Sequence, residues 1–395
     1  MQDNFEAGRR YNIYSEIDAY APGFIMAHKN MGFGLNIRVR NHFIARRMPS
    51  DLMKFIDEGW NFTDQHDIDY DADNFYAKNF TWGEIGLNYG QIVYKRGDQI
   101  IQAGGSLKIL SGISSIGILS DNLNYRVDSS NVTFNEFTGK IAITDPGFNI
   151  GMGMGLDLGI VYKKMINDNN TFYLPHSKMS KCKINPYKYK IGVSLLDLGF
   201  LRFTKSSNHY TFENDSAVFV DHENFNIDWP TDINRLIEES GSNPTQKTKF
   251  TSTLPLALSA QFDYNFENNI YVNATLLMGF RQSNFMGGDR ITQFTVTPRY
   301  EHRFITVGLP VTVFRYQAPG VGLHARLWWL TLGTNNFLPF LFSYDAYGAD
   351  AYFSLNVPIF HSGKCKEYER KKSDYCPKPR RKINIKGWFK KKRKT

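Results

Sequence analysis

Polar residues or glycine recur at every second position in several segments of the chain, and the charged residues among them are the ones best placed to do chemistry. The segment Phe33–Arg40 alternates apolar residues with glycine, asparagine and arginine, and it contains Arg38 and Arg40. Asp157 and Asp197 occupy equivalent positions in two Leu-Asp-Leu-Gly motifs. Alternate side chains of a strand point to the same face, so these residues predict an ionic network on one side of a sheet.

The polar faces of the alternating segments collect nine such residues, which we predict to face an enclosed, hydrated interior. They are Arg38, Arg40, Lys108, Asp157, Asp197, Arg281, Arg299, His324 and Arg326. Two interpretations remain open. A basic interior would attract anionic or amphipathic solutes. Alternatively, opposite charges pair and fill the interior, and we favour this interpretation because a buried charge needs a partner.

The alternation extends along almost the whole chain and predicts an all-β fold, a transmembrane antiparallel β-barrel of about 14 strands. Aromatic residues make up 15% of the chain, which suits the aromatic girdles of such barrels. The mean hydropathy of −0.40 is compatible with a barrel, because only alternate residues of its strands are apolar. The sequence has no run of apolar residues long enough for an ordinary spanning helix. Roughly thirteen strands can be placed, among them Gly320–Leu332 and Leu338–Ala346, whereas bacterial barrels have an even number of strands. We therefore expect one more strand, either overlooked or located in sequence outside the chain.

Short polar turns alternate with long connections, which predicts long loops on one side of the barrel and periplasmic turns on the other. Pro49–Ile56 is a predicted helix in one long loop, with Ser50 or Asp51 as the N-cap. Pro230–Glu239 is a second helix candidate. A further hairpin is predicted to turn at Asp128–Asn131.

Residues 1–360 are predicted to form the barrel, and residues 361–395 a basic periplasmic tail. The tail holds 15 Lys and Arg against 3 Asp and Glu, whereas the whole chain carries +9, so the basicity belongs to the tail. Cys365 and Cys376 are a candidate disulfide in an oxidising periplasm, and two unpaired thiols are the alternative. The polar first residues do not resemble a signal peptide, so we expect a leader to be missing.

Asp67, Asp69 and Asp71 are candidate metal ligands in the densest acidic stretch of the chain. Carboxylates at a spacing of two share one face and suit a hard cation such as Ca²⁺. A solvated acidic loop is the alternative, which we favour because the glycine and final glutamate of an EF-hand loop are missing. No cofactor and no enzymatic activity are predicted, because no spacing pairs a nucleophile with a base.

Glycine-rich motifs recur along the alternating segments in a fixed order. They are Trp82–Tyr89, Gly104–Gly112, Gly155–Gly159 and Leu195–Phe200. Together they resemble an uncharacterised family of outer-membrane β-barrels from bacteria that have the type IX secretion system. That family is distantly similar to FadL-type fatty-acid transporters and to PorV-like barrels. No functional residues are established for the family, so the resemblance implies a fold and a location rather than a site.

The resemblance, the long loops and the basic tail together indicate an accessory or scaffold subunit of a larger outer-membrane assembly, with a link to protein export. A FadL-like or porin-like passive transporter of hydrophobic or amphipathic small molecules is the alternative. Either function implies residence in the outer membrane of a Gram-negative bacterium. The expected partners are outer-membrane lipids and other outer-membrane or periplasmic proteins. Nucleic acid is not expected, because the basic tail would meet lipid headgroups or acidic proteins in the periplasm.

Overall fold

Most of the alternating segments fold into β-strands in the computed structural model of the protein. The structure describes residues 8–28, 30–58, 63–128, 131–166, 187–220, 244–266, 268–281, 285–302, 304–315, 318–337 and 348–357. Within these ranges every strand pairing is antiparallel, as the period-two pattern predicts for an all-β chain.

The described chain forms twenty strands and one α-helix. The strands are β1 Arg10–His28, β2 Met31–Pro49, β3 Asp69–Asp71, β4 Phe75–Arg96, β5 Gln99–Val127, β6 Asn131–Thr144, β7 Gly151–Met165, β8 Tyr187–Phe203, β9 Ser207–Val220, β10 Thr245–Lys247, β11 Phe250–Thr253, β12 Ala257–Asn265, β13 Ile270–Gly279, β14 Gln293–Glu301, β15 Ile305–Gly308, β16 Val311–Phe314, β17 Ala318–Val321, β18 Leu323–Leu327, β19 Leu330–Thr334 and β20 Tyr352–Leu355. The helix α1 spans Ser50–Glu58.

The strands pair in one long row. Its first part runs in the order β1, β2, β4, β5, β7, β8, β12, β13 and β14. Next, β14 pairs with both β15 and β16, β15 pairs with β18 and β16 with β17, and the row continues from β18 to β19 and β20. A side branch of β6, β9 and β10 continues from the far half of β5. The described residues contain no pairing between β1 and β20, so the row has two ends.

The row of strands is curled, as contacts between side chains of distant strands on one face show. Arg40 of β2 contacts Asp197 of β8, although β4, β5 and β7 lie between these strands. Arg290, which precedes β14, contacts Glu16 of β1. We call the side on which these residues meet the inner face, and the opposite side the outer face.

The outer face carries a broad area of apolar side chains that no layer of the described chain covers. On β2, for example, Ile37 and Val39 alternate with the inward-pointing Arg38 and Arg40. We call this area the bare region, and its members are between 40% and 64% exposed. It comprises Phe33, Ile37, Val39, Ile85, Leu87, Tyr89, Leu107, Ile109, Met152, Met154, Leu158, Ile160, Ile191, Val193, Leu198 and Phe200.

Towards the long loops, the same outer face is covered by protein. The outer-face residues Phe43, Ala45, Phe75, Ala77, Ile116, Ile118, Ile141 and Ile143 pack there in one apolar core. Met53 and Phe55 of α1, together with Tyr70 of β3 and Tyr125 near the end of β5, complete that core. We call this part of the molecule the covered region. It has the closed apolar interior that a water-soluble domain builds.

Several sequence predictions can be compared directly with these elements. The helix predicted at Pro49–Ile56 is confirmed by α1, and the hairpin predicted at Asp128–Asn131 by the pairing of β5 with β6. The single strand predicted over residues 320–332 is wrong. A tight turn at Trp328–Trp329 splits it into β18 and β19, with Trp328 at a φ of 54°. The turn has neither the glycine nor the asparagine that usually marks a hairpin, so the alternation predicts one continuous strand there.

Three further predictions lie outside the described residues. They are the helix at Pro230–Glu239, the strand over residues 338–346 and the Cys365–Cys376 disulfide in the tail.

Candidate functional site

The inner face of β2, β4 and β5 places charged side chains opposite one another through strand register. Arg38 pairs across the strands with Glu84, and its Nε donates a hydrogen bond to the Glu84 carboxylate. Arg40 lies opposite Trp82, with its guanidinium carbon 4.8 Å from the centre of the indole ring. A cation over an aromatic face is favourable, more so where water is excluded.

Asp197 reaches the same place through a β-bulge in β8. Leu156 and Leu158 of β7 pair with Leu198 and Leu195, which leaves an extra residue on β8. Asp197 has a φ of 58°, a left-handed conformation that costs free energy for any residue but glycine. Its backbone N–H donates to the Asp157 carboxylate at 2.7 Å, which holds the bulge in this conformation.

Arg40 is the centre of this site and is 1% exposed. Its Nη1 lies 3.0 Å from both carboxylate oxygens of Asp197, its Nη2 2.7 Å from Glu16 Oε1, and its Nε 3.0 Å from Asp18 Oδ1. Lys108 donates to Asp197 at 2.6 Å and to Asp157 at 2.7 Å. Each buried charge therefore has an opposite charge within hydrogen-bonding distance, as burial requires.

We call this set the inner charge cluster. It comprises Glu16, Asp18, Arg38, Arg40, Glu84, Lys108, Asp157, Asp197 and Arg290. Carboxylates balance cations within it, so its formal charge is close to neutral. An arrangement of this kind fixes the relative positions of β1, β2, β5 and β8 rather than attracting solutes of one sign.

The chain between β13 and β14 turns onto the inner face and packs there. This inward segment, residues 285–292, contains Met286 and Asp289, and both are 1% exposed. Ser252 Oγ donates to the Met286 carbonyl at 2.6 Å, and the Gly288 N–H donates to the Thr253 carbonyl at 2.7 Å. Lys78 Nζ donates to the Gly287 carbonyl. The segment is therefore bound to both β4 and β11.

Glycine makes this close packing possible at two positions. A Cβ on Gly117 of β5 would lie 2.5 Å from Met286 Sδ, and one on Gly288 would lie 2.7 Å from the backbone nitrogen of Pro255. Both distances are shorter than real Cβ contacts, so a larger residue at Gly117 would displace the Met286 side chain, and one at Gly288 would displace the inward segment from the Pro255 backbone.

A second ionic set lies on the inner face of β8, β12 and β14, closer to the short turns. Asp263 is 1% exposed and accepts hydrogen bonds from Arg299 at 2.9 Å and from Tyr187 at 3.0 Å. Lys190 Nζ lies 3.1 Å from the same carboxylate, and Arg299 also donates to Glu301 at 2.7 Å. The cations and carboxylates of this set therefore also pair with one another.

The structure brings five of the nine predicted polar residues into the inner charge cluster and distributes the others. The five are Arg38, Arg40, Lys108, Asp157 and Asp197. Arg299 belongs to the second set, and Arg326 donates to Thr306 at 2.8 Å. His324 stacks on Tyr352 with ring centres 6.5 Å apart. Arg281 lies with its guanidinium 5.8 Å from the Tyr76 ring.

Sequence reasoning missed four partners in the inner charge cluster. Glu16 and Asp18 alternate along β1, so the period-two pattern that revealed Arg38 would also have revealed them. Glu84 lies in a motif singled out for its glycines. Arg290 lies in a connection without periodicity, and no local signal marks it as inward-facing.

The three aspartates predicted as metal ligands have other partners. Asp67 and Asp69 lie 3.3 Å and 3.7 Å from Arg126, and Asp71 accepts a hydrogen bond from Asn124 at 2.8 Å. In the part of the chain that the structure describes, no group of three or more His, Cys, Asp or Glu side chains is arranged to hold a metal ion. Asp69 and Asp71 lie on β3, which pairs with β5, so this part of the acidic stretch is a strand.

The comparison with family models matches residues 2–335 to a family of unknown function, DUF5723. The match covers most of the 395 residues. The chain belongs to this family. The comparisons with curated proteins and with solved structures found no match to the chain. None of the helices in the described part of the chain has the length and apolarity needed to cross a bilayer.

Proposed function

We propose that this DUF5723 protein is an outer-membrane β-barrel that acts as an accessory or scaffold subunit of a larger outer-membrane assembly. The bare region is the observation that carries the proposal. Sixteen large apolar side chains on adjacent strands lie half-exposed on one face, and the opposite face holds paired charges. Contiguous apolar patches of this extent are rare on soluble monomers, whereas lipid-facing strands require them.

Closure of the row of strands is part of the proposal. The unpaired N–H and C=O groups of an edge strand cost several kcal/mol each in hydrocarbon, so a sheet that spans lipid must close. The curl that brings Arg290 beside Glu16 supports a closed sheet.

The filled interior favours a scaffold over an open channel. The inner charge cluster ties six strands together, and the inward segment lies across the inner face with Met286 and Asp289 buried. A passive route for hydrophobic molecules needs an open apolar passage, whereas ion pairs and the packed side chains around Trp82 and Met286 occupy this interior. The FadL-like or porin-like transporter is therefore the second candidate, and the experiment below distinguishes it.

The resemblance to barrels of bacteria with type IX secretion motivates a role near protein export. In this proposal the basic residues 361–395 follow β20 on the side of the short turns, which is the periplasmic side. Their charge suits acidic surfaces of periplasmic or outer-membrane partners.

The first test is where the full chain resides in a Gram-negative host. We expect it in the detergent-extracted outer-membrane fraction, with a gel mobility that changes on heating, because a closed barrel stays folded in cold detergent. Full solubility without detergent would contradict the membrane assignment.

The second test separates the two candidate functions. We expect stable partners to co-purify in mild detergent, to be lost on removal of residues 361–395, and no conductance in planar bilayers, with a known porin as the positive control. Steady conductance or uptake by protein that purifies alone would favour the transporter.

A further inference from the structure

A pocket of about 370 Å³ opens at the loop end of the inner face, separate from the inner charge cluster but adjoining it. Five arginines contribute to its wall, together with the ring of Tyr76. We call it the arginine pocket, and its cations are Arg46, Arg47, Arg281, Arg290 and Arg315. They come from the end of β2, the ends of β13 and β16, and the inward segment, so four separate parts of the chain converge on one cavity.

Carboxylates do not balance these cations as they do in the inner charge cluster. Arg290 is paired with Glu16 and Asp197, at 2.8 Å and 3.4 Å. Asp289 is the acid beside Arg46, at 3.8 Å. The same carboxylate accepts a hydrogen bond from Tyr76 at 2.7 Å and lies 3.7 Å from Lys78. One carboxylate therefore serves several donors.

The remaining arginines have no acid partner within the described ranges. No ion pair to a described carboxylate is formed by Arg47, Arg281 or Arg315. Arg46 Nε is buried and has no hydrogen-bond partner there, which leaves a charged donor unsatisfied. Burial and the neighbouring Arg46 hold the pKa of Arg315 below its ordinary value, a sign of cations crowded together.

We propose that the arginine pocket binds a small phosphate-bearing anion with two or more negative charges. Arginine presents a planar fork of donors that matches phosphate oxygens two at a time, and a bound anion would satisfy both the unpaired Nε and the excess charge. The volume lies within the usual range for small-molecule sites. The phosphate comes either from a free solute or from a lipid headgroup, and the position on the inner face, away from the bare region, favours the solute.

The binding test uses inorganic pyrophosphate titrated calorimetrically into the full chain in non-ionic detergent, with sodium chloride matching the ionic strength. We expect saturable binding that weakens about tenfold in Arg315→Gln and in Arg281→Gln, because each loses a charge-assisted hydrogen bond. Arg96→Gln is the matched control, since Arg96 is exposed at the opposite end of the sheet, and it leaves binding unchanged. Arg281 is itself exposed, so its removal leaves the fold intact.

The source of the phosphate is tested by repeating the titration in nanodiscs of phosphatidylcholine alone and of phosphatidylcholine with phosphatidylglycerol. Equal affinity in both assigns the pocket to a soluble anion, and weaker pyrophosphate binding in the phosphatidylglycerol discs assigns it to a headgroup. No saturable heat in any medium, or equal affinity in wild type, Arg315→Gln and Arg281→Gln, would overturn the proposal. The detergent titration needs no lipid insertion, so its outcome is independent of the proposed membrane function.

Discussion

The outer face of β2, β4 and β5 is apolar on both sides of one polar row, but the described part of the chain covers it on one side only. Phe43 and Ala77 pack under α1 and the ends of β5 and β6, whereas Val39 and Ile85, farther along the same strands and on the same face, are more than 40% exposed. The two regions use the same residue types and the same alternation. What differs is the presence of a second layer.

A polar row marks the boundary between the two regions. Asn41 of β2 donates from Nδ2 to Asn79 Oδ1 and to Thr81 Oγ1 of β4, both at 2.8 Å, on the outer face. Apolar residues follow on each side of this row along both strands. Under the proposed function, the row lies where lipid ends and the protein layer begins, so each region removes its apolar side chains from water by a different partner.

Truncation of a large apolar side chain gives the sharpest contrast between the regions. Phe55 of the covered region is 1% exposed and contacts Tyr70 and Tyr125 edge-on, with ring centres 6.1 Å and 6.3 Å apart. We expect Phe55→Ala to lower the free energy of unfolding by about 3–5 kcal/mol, because it leaves a cavity. The measurement is urea unfolding in detergent micelles, followed by tryptophan fluorescence.

Phe33→Ala in the bare region is the matched comparison for that variant. Phe33 is 43% exposed, and detergent refills the space that its side chain leaves. We expect a loss of about 1 kcal/mol, the transfer free energy of the few methylene equivalents that are buried. Equal losses in the two variants would mean that the two regions do not differ as described.

Introduction of a charge tests what contacts the bare region. Ile109 of β5 lies between Ile85 and Met154 on its neighbouring strands. If this face meets lipid, Ile109→Lys should cost about 2–4 kcal/mol and reduce recovery in the outer membrane. If water covers it, the change should stay within about 0.5 kcal/mol.

The control for the charge test is Asp121→Lys, at an exposed position of β5 alongside the covered region, between Ile118 and Leu123. It adds a lysine to the same strand, where water is available in either case. The membrane interpretation fails if both lysine variants insert and unfold like the wild type.

The sequence was sufficient to predict an antiparallel all-β fold, because period-two alternation is a local property of each strand. It also located Arg40, Lys108, Asp157 and Asp197 on polar faces, and they meet in the structure. Alternation cannot reveal which distant strands approach each other, since that depends on how the sheet curls. The contact of Arg40 with Asp197 across three intervening strands is of this kind.

Two further features were beyond the reach of local patterns. The inward segment has no periodicity, so Arg290 gave no signal before the structure placed it beside Glu16. In the covered region, the sequence pattern predicts strands and long loops but no second layer. The helix and strands that form this layer lie in those loops and pack through long-range contacts. Layering is a tertiary property, and the residue types on the two sides of the polar row are the same.

Removal of the boundary hydrogen bonds should have a smaller effect. Asn41→Ala deletes the donor that bonds Asn79 and Thr81, and we expect a loss of about 1 kcal/mol in the same unfolding assay. Asn135→Ala is the control, because Asn135 makes a similar bond to Asn124 at 2.7 Å in an exposed place. There water replaces the lost partner, and no measurable change is expected. A loss as small for Asn41 as for Asn135 would show that the polar row does not bind the two strands together.

The smallest effect is expected deep in the covered region, where a buried polar atom has no partner among the described residues. The Tyr125 hydroxyl is buried and forms no hydrogen bond within the described residues, while its ring stacks on Tyr70 with centres 5.4 Å apart. Tyr125→Phe keeps the ring and removes the unsatisfied group, so we expect no loss and a gain of up to about 1 kcal/mol. Tyr76→Phe is the comparison, because the Tyr76 hydroxyl donates to Asp289 at 2.7 Å, and its removal should cost about 1–2 kcal/mol. Destabilisation by Tyr125→Phe would reveal a partner for that hydroxyl, and the covered region would then depend on a polar contact as well as on apolar packing.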